Sequence, residues 1–374
     1  MTTLTWLDSP RHRQRGFSLV EMLVGLAIGL IASGAIIQTF STYEAQKRST
    51  VAGSEAQENG LVALAQLEQD IHNAGSGIAD PAIFDCTQAQ TYTYSSAAGG
   101  PIPNFSLAPL VITAGATATA SDTVQVNTGD LLGALPAYTT QPMITANDPL
   151  TLTRIDNFVP GDVMVVTQGG NCTVMQVTTV VSALTNVHHN PSGLYNPIPP
   201  ATLTWPVYTT GARVLNPKTI VSKLFAVNGG NLQLTTSNIG VAPSVDTYAL
   251  VHNVVFMKAQ YGIAPIGSQS VDTWVNATGA WTPVALAASP ANRKRIKAVR
   301  FVVVSRSDKQ EGTNVTTACT NVSLQVNNGP CAWRDSAANP APVVDLSADP
   351  AWQKYRYKVY QTIVPLRNVL WGNV

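Results

Sequence analysis

Residues Phe17 to Phe40 read FSLVEMLVGLAIGLIASGAIIQTF, 24 residues in which Glu21 is the single ionisable group. About 20 apolar residues cross the hydrocarbon core of a bilayer as an α-helix, so this run is long enough to span. The leader before it, MTTLTWLDSPRHRQRG, carries Arg11, Arg13 and Arg15 against Asp8. Arginine beside an apolar helix holds that flank in the cytoplasm, which puts everything after Phe40 on the exported side. Cleavage as an ordinary signal peptide, near 32-ASGA-35, would require an overlong apolar region containing an acid. A carboxylate in hydrocarbon costs about 2.5–3.5 kcal/mol on insertion scales, so Glu21 needs a cation at membrane depth.

The apolar pattern continues beyond Phe40 without a proline as STYEAQKRSTVAGSEAQENGLVALAQLEQDIHNAG. Leu61, Leu64, Leu67, Ile71 and Ala74 recur every three or four residues and form one stripe, with Gln66, Glu68, Asp70 and Asn73 opposite. Gly75-Ser76-Gly77 supplies a stop. A helix over residues 17–74 would be roughly 87 Å long at 1.5 Å per residue. Gly25 and Gly29 stand in GxxxG spacing and Gly34 follows; close helix packing and plain tolerance of glycine in a membrane helix both explain them.

The acids change type at the end of this stem. Five of six Glu precede residue 75, whereas 13 of 15 Asp follow it. Glu favours helix and Asp favours turns, so a turn-rich β body is expected after the stem. Period-two runs agree: 123-TVQVN, 162-DVMVVTQ, 172-CTVMQVTTVV, 248-YALVHNVVFMKAQYG, 298-AVRFVVVS and 355-YRYKVYQTIVPL. The fold class expected for the 374 residues is α+β, with a long N-terminal helix followed by a β-rich body. Only 11% of residues are charged and the net charge is +1, so there is no global field to attract nucleic acid.

Four cysteines, Cys86, Cys172, Cys319 and Cys331, are disulfide candidates in an exported body, and three connectivities are open. Cys319 and Cys331 enclose eleven residues and are the easiest pair to close, which leaves Cys86 for Cys172. Nothing in the pattern suggests a catalytic residue, a cofactor or a metal. GxSxG, SxxK, phosphate-loop and calcium-loop signatures are missing, and there is no CxxC or Cys/His cluster. His188-His189 is expected in a surface loop, and Asp122, Asp130, Asp148 and Asp162 are expected in turns. The run 293-RKRIKAVR places five cations in eight residues; a solvated loop leading into an edge strand is favoured over DNA binding.

The string Arg15-Gly16-Phe17-Ser18-Leu19-Val20-Glu21, followed by an apolar helix, resembles the class III signal of type IV prepilins and pseudopilins. The resemblance implies that a prepilin peptidase cuts between Gly16 and Phe17 and methylates Phe17. Glu21 would then pair with the terminal amine of a neighbouring subunit. It also implies a pilin-like fold in which the stem lies on an antiparallel sheet, here enlarged by β-rich insertions. The organisation expected is a cleaved leader over 1–16, a transmembrane half-helix over 17–40, an amphipathic half over 41–75 and an exported body over 76–374. Removing the leader takes away three Arg and one Asp and leaves 358 residues with a net charge of −1.

Two features resemble the PilW family of minor pilins: 253-NVVFMKAQYG leading through Trp274 and Trp281 to 296-IKAVRFVVVSRS, and the closing 355-YRYKVYQTIVPLRN. Residues 78–245 match that family only loosely, through 158-FVPGDVMVV. Membership implies an inner-membrane precursor with a periplasmic body. It would join other minor pilins and the major pilin, with or without a tip adhesin, in a complex that primes the pilus and caps its tip. Adhesion, twitching motility and DNA uptake are the associated functions. The alternatives are a minor pseudopilin of a type II secretion system and a membrane-anchored secreted binding protein or enzyme.

Overall fold

No proline interrupts the chain between Leu19 and His72, and the computed structural model has one α-helix of 54 residues there. The structure describes residues 16–87, 91–92, 107–130, 135–145, 148–190, 195–196, 207–240, 244–333 and 340–372. The leader up to Arg15 lies outside them. By contacts the chain divides into two units, Met1–Val51 and Ala52–Val374. The helix ends in turns where Gly75 and Gly77 take φ of +80° and +72°, a region that L side chains avoid. The Gly75 N–H, freed by that turn, donates to Asn127 O at 2.8 Å.

Within the second unit the helix buries a face made largely of small residues: Ala52, Ala56, Gly60, Ala63, Leu67, Ile71 and Ala74. The expected stripe is thus corrected at one end, because Leu61 is 47% exposed and Gly60 and Ala63 take the contact. Small residues let the backbone approach closely. A Cβ built on Gly60 would collide with the Tyr360 ring and stand 2.7 Å from Ser305 Oγ. Ser305 Oγ donates to Ala56 O at 2.6 Å and the Tyr360 hydroxyl donates to Gln57 O at 3.2 Å. Asp70, expected on the polar face, is buried and ion-paired with Lys223 at 2.6 Å, and it also accepts from Gln66.

The helix covers a four-stranded antiparallel sheet in the order Thr273–Asn276, Val254–Ile263, Ile296–Arg306, Tyr357–Pro365. A five-stranded antiparallel sheet runs Val245–His252, Asn231–Ile239, Ile220–Asn228, Thr123–Gly129, Leu110–Thr113. The main core joins both sheets to the helix through Leu67, Ile71, Val124, Phe225, Met257, Tyr261 and Phe301. The mixed α+β, helix-on-sheet architecture is as expected.

Two long runs break where a single strand was expected. The run from 248 splits at Asn253, whose φ is +58°. Val245–His252 and Val254–Ile263 then belong to different sheets. Asparagine adopts this left-handed conformation at low cost, so the chain can swing from one sheet to the next. The run from 172 divides likewise into Asn171–Gln176 and Thr179–Val181, again in different sheets. The hairpin Ile220–Asn228 to Asn231–Ile239 went unexpected, although its signal is plain: Gly229-Gly230 links the strands with φ of +57° and +73°.

Much of the loosely matched middle is a second five-stranded sheet, ordered Thr91–Tyr92, Asn171–Gln176, Val163–Gln168, Arg213–Lys218, Ala137–Tyr138. Its first pair is parallel and the others antiparallel. It packs on the three-stranded sheet Leu150–Thr151, Asn186–His188, Thr179–Val181 around Met143, Met164, Met175, Val187 and Tyr208. The middle is a layered domain with its own core rather than a set of loops.

Substituting Gly60→Val should force the helix off Tyr360 and Ser305 and cost about 1–3 kcal/mol by overpacking, whereas Gly53→Ala, which meets open space, should be neutral or slightly stabilising. Thermal melting of the two variants in detergent checks the difference; equal melting temperatures would mean the seam is not close-packed.

Candidate assembly site

Before the helix, Gly16 and Phe17 are exposed and not helical. Ser18 opens the first turn: its hydroxyl accepts from Val20 N at 3.4 Å and its carbonyl accepts from Met22 N at 3.1 Å. Glu21 lies in that first turn, where its charge complements the unpaired N–H groups of the helix start. Phe17, Glu21, Gly25, Gly29 and Ser33 follow at four-residue steps and line one shallow groove. Spacing of four keeps residues on one face, so the acid and two glycines share a stripe.

The apolar side chains from Phe17 to Phe40 are exposed, including Leu19 at 77%, Ile31 at 74% and Ile37 at 68%. The 18-residue window with the highest mean hydropathy has none of its residues buried. An apolar surface this long is stable only in lipid or against other apolar helices. A Cβ on Gly16, Gly25, Gly29 or Gly34 would meet nothing within 4 Å. None of these glycines is required by the packing of this chain on itself. Each helical one costs about 1 kcal/mol relative to alanine, a cost that close packing against another helix or the general tolerance of glycine in membrane helices would each explain.

The four cysteines sit in the second unit and pair as Cys86–Cys172 and Cys319–Cys331, with Cα–Cα distances of 5.6 and 5.5 Å. The first bridge joins the end of the short helix Pro81–Phe84 to the middle sheet across 86 residues. It lies in a core with Ile83, Val165 and Leu215.

Other candidates sit elsewhere than expected. Asp122 is buried rather than in a solvated turn: it pairs with Lys258 at 2.6 Å and accepts from Gly115 N and Ala259 N. Asp162 holds a turn as expected, its N–H donating to Val159 O and its buried carboxylate accepting from Val159 N and Asn216. Asp148 also holds a turn, accepting from Ile144 N and Thr145 N, and these bonds pull its pKa below the ordinary carboxylate range. His189 is 3% exposed, with Nε2 at 2.9 Å from Asp148 O, and burial depresses its pKa. Among the described residues no group of three His, Cys, Asp or Glu side chains is placed to hold a metal ion.

The basic run is corrected most. Ile296–Arg306 lies between two strands and is not an edge. Arg293 donates to Leu286 O, Ala287 O, Phe84 O and Cys86 O, tying three segments together. Arg300 lies between the rings of Trp274 and Trp333, 4.8 and 4.3 Å from their centroids, and donates to Gln260. Burial pushes its pKa down to about 10, so it stays charged at neutral pH. Lys297 and Arg300 are therefore buried while Arg293, Lys294 and Arg295 are half-buried, which spacing alone did not reveal.

Two family models match the chain. The prokaryotic N-terminal methylation motif covers residues 11–37, and the type IV pilus-assembly protein W model covers residues 225–368. The first ends within the exposed apolar part of the helix. The second takes in the four-stranded sheet together with the Gly-Gly hairpin and the strand after it. No curated protein and no solved structure is significantly similar to the chain.

Loss of each bridge should destabilise the body, more for the longer loop and in step with the logarithm of loop length. Replacing Cys86 and Cys172 by serine removes about 4.5 kcal/mol in the loop-entropy model, and replacing Cys319 and Cys331 about 3 kcal/mol. Denaturant unfolding of the two double variants, with matched slopes, checks the order.

Proposed function

Since the chain is a type IV pilin of the PilW family, we propose that it joins other minor pilins in a complex that primes pilus assembly and stays at the tip. A minor pilin of the type IV pilus is anchored in the membrane, processed by prepilin peptidase and assembled with other pilins. The family's domains are structural rather than catalytic. The observation that carries the assembly reading is the stripe of Glu21, Gly25 and Gly29 on an apolar helix that is exposed among the described residues.

In the mechanism proposed, the peptidase cuts after Gly16 and methylates the amine of Phe17. Residues 17–40 remain in the inner membrane, residues 41–75 continue the helix, and the body over 76–374 faces the periplasm. As subunits pack, Glu21 accepts the positive N-terminus of a neighbour. In a low dielectric that pairing offsets the desolvation of both charges and sets the axial register between subunits. The glycines bring the helix axes close. The tip position is supported by bulk: a middle sheet with a core of its own suits a place with few neighbours better than a repeating shaft.

Intact mass of the purified mature protein tests the processing: 358 residues beginning with N-methylated Phe17 are expected, and an unmethylated or differently cut N-terminus would overturn it. A Glu21→Ala chain should be processed yet lost from sheared pili, with immunoblots of pili against membranes as the measure. Deletion should abolish surface pili and twitching. Loss of exoprotein secretion instead would assign a pseudopilin, and recovery at one-to-one stoichiometry along the fibre would remove the tip position.

A further inference from the structure

The body pairs its buried and half-buried cations internally: buried Lys258 has Asp122, and half-buried Lys223, Arg213 and Arg293 have Asp70, Asp80 and four carbonyls. Lys297 is the exception. It is 4% exposed, and no anion or hydrogen-bond acceptor partners its ammonium among the described residues. Burial alone pulls its pKa below the ordinary lysine value. Its ammonium therefore meets a pocket rather than the core, without a counter-charge paired to it among the described residues.

Local backbone geometry explains why this lysine turns away from the sheet's cores. The strand pairing runs Ile263 with Ile296 and then Gly262 with Ala298, so Lys297 is the extra residue of a β-bulge. A bulge re-aims the side chain it carries. Lys297 lines a pocket of about 580 Å³ in the body, together with Arg295 and Lys294. Arg295 donates its Nε to Ala264 O at 3.0 Å and lies over the Trp281 ring, while its two terminal nitrogens have no partner among the described residues. Lys294 is paired with Asp85, so the charges lining the pocket leave a net of two positive. Prolines and the 83%-exposed Ile266 supply apolar walls.

The walls are fixed in advance. Asp85 adjoins Cys86, which is bridged to Cys172, and Arg293 clamps the carbonyls of Phe84 and Cys86 to the segment that leads into Pro290. A preformed cleft with a few convergent polar groups is the usual form of a small-ligand site. A point-charge ammonium beside the free end of a guanidinium fork matches the oxygens of a carboxylate or phosphate.

We propose that this pocket is an oxyanion site, binding a small ligand through its carboxylate or phosphate group with Lys297 and Arg295 as the contacts. The site is independent of the membrane helix and of assembly, so it stands or falls separately from the pilus role.

The test uses the full chain in detergent micelles, titrated by calorimetry with succinate and, separately, with inorganic phosphate, and melted in the presence of each. Saturable binding of one or both, with a rise in melting temperature, is expected; which anion binds identifies the ligand group. Lys297→Met, which keeps the aliphatic stem, should weaken binding about tenfold or more, and Lys297→Arg should retain it. Should Lys297→Met fail to fold, Arg295→Gln decides, with a several-fold loss expected. The proposal is overturned if neither anion saturates the wild-type chain by about 10 mM. It is equally overturned if a folded Lys297→Met or Arg295→Gln chain binds as the wild type does.

Discussion

The body depends on the close approach of one helix to two adjacent strands. Ala52, Ala56, Gly60 and Ala63 present almost no side chain, so the helix backbone lies near Ile296–Arg306 and Tyr357–Pro365, close enough for Ser305 and Tyr360 to bond its carbonyls. That approach buries Leu67 and Ile71, each worth about 1.5–3 kcal/mol. It also carries Asp70 into contact with Lys223 of the neighbouring sheet. Only Arg306 of the central strand is not fully buried, so the strand can receive the helix-side core on one face and Val302, Val304 and Trp333 on the other.

One helix therefore serves two solvents. In its first unit the apolar residues are exposed, and none of the described residues comes within 4 Å of a Cβ placed on the glycines. In its second unit the small residues are covered by sheet and the polar ones face out, apart from Asp70. The difference follows from what the surroundings can hydrogen-bond: lipid asks only for an apolar exterior, whereas a sheet asks for a shape that fits its side chains.

The low charge content of the chain makes its buried ions conspicuous. Most are neutralised in place, by a carboxylate for Lys258, by carbonyls for Arg293, and by two indole faces and an amide for Arg300. Such groups fix the position of the segments they bridge, since an ion removed from water holds its partners tightly. Lys297 differs in that no counter-charge pairs with it among the described residues.

Much was legible in the residues themselves. The Phe17–Phe40 run, the place of Glu21, the glycine stop at 75–77 and the alternation of the later strands are local patterns, and local patterns set helix, strand and membrane preference. The Gly229-Gly230 hairpin was equally local and could have been read from its two central glycines. What tertiary structure alone decided was which side of each element faces what. Asp70 looked solvated until Lys223 arrived from 153 residues away. His189, Asp122 and Arg300 looked superficial until the surrounding sheets and rings closed over them. Periodicity records how a segment would divide apolar from polar surface, but a buried charge is permitted by a partner distant in sequence, and that partner is chosen by the fold.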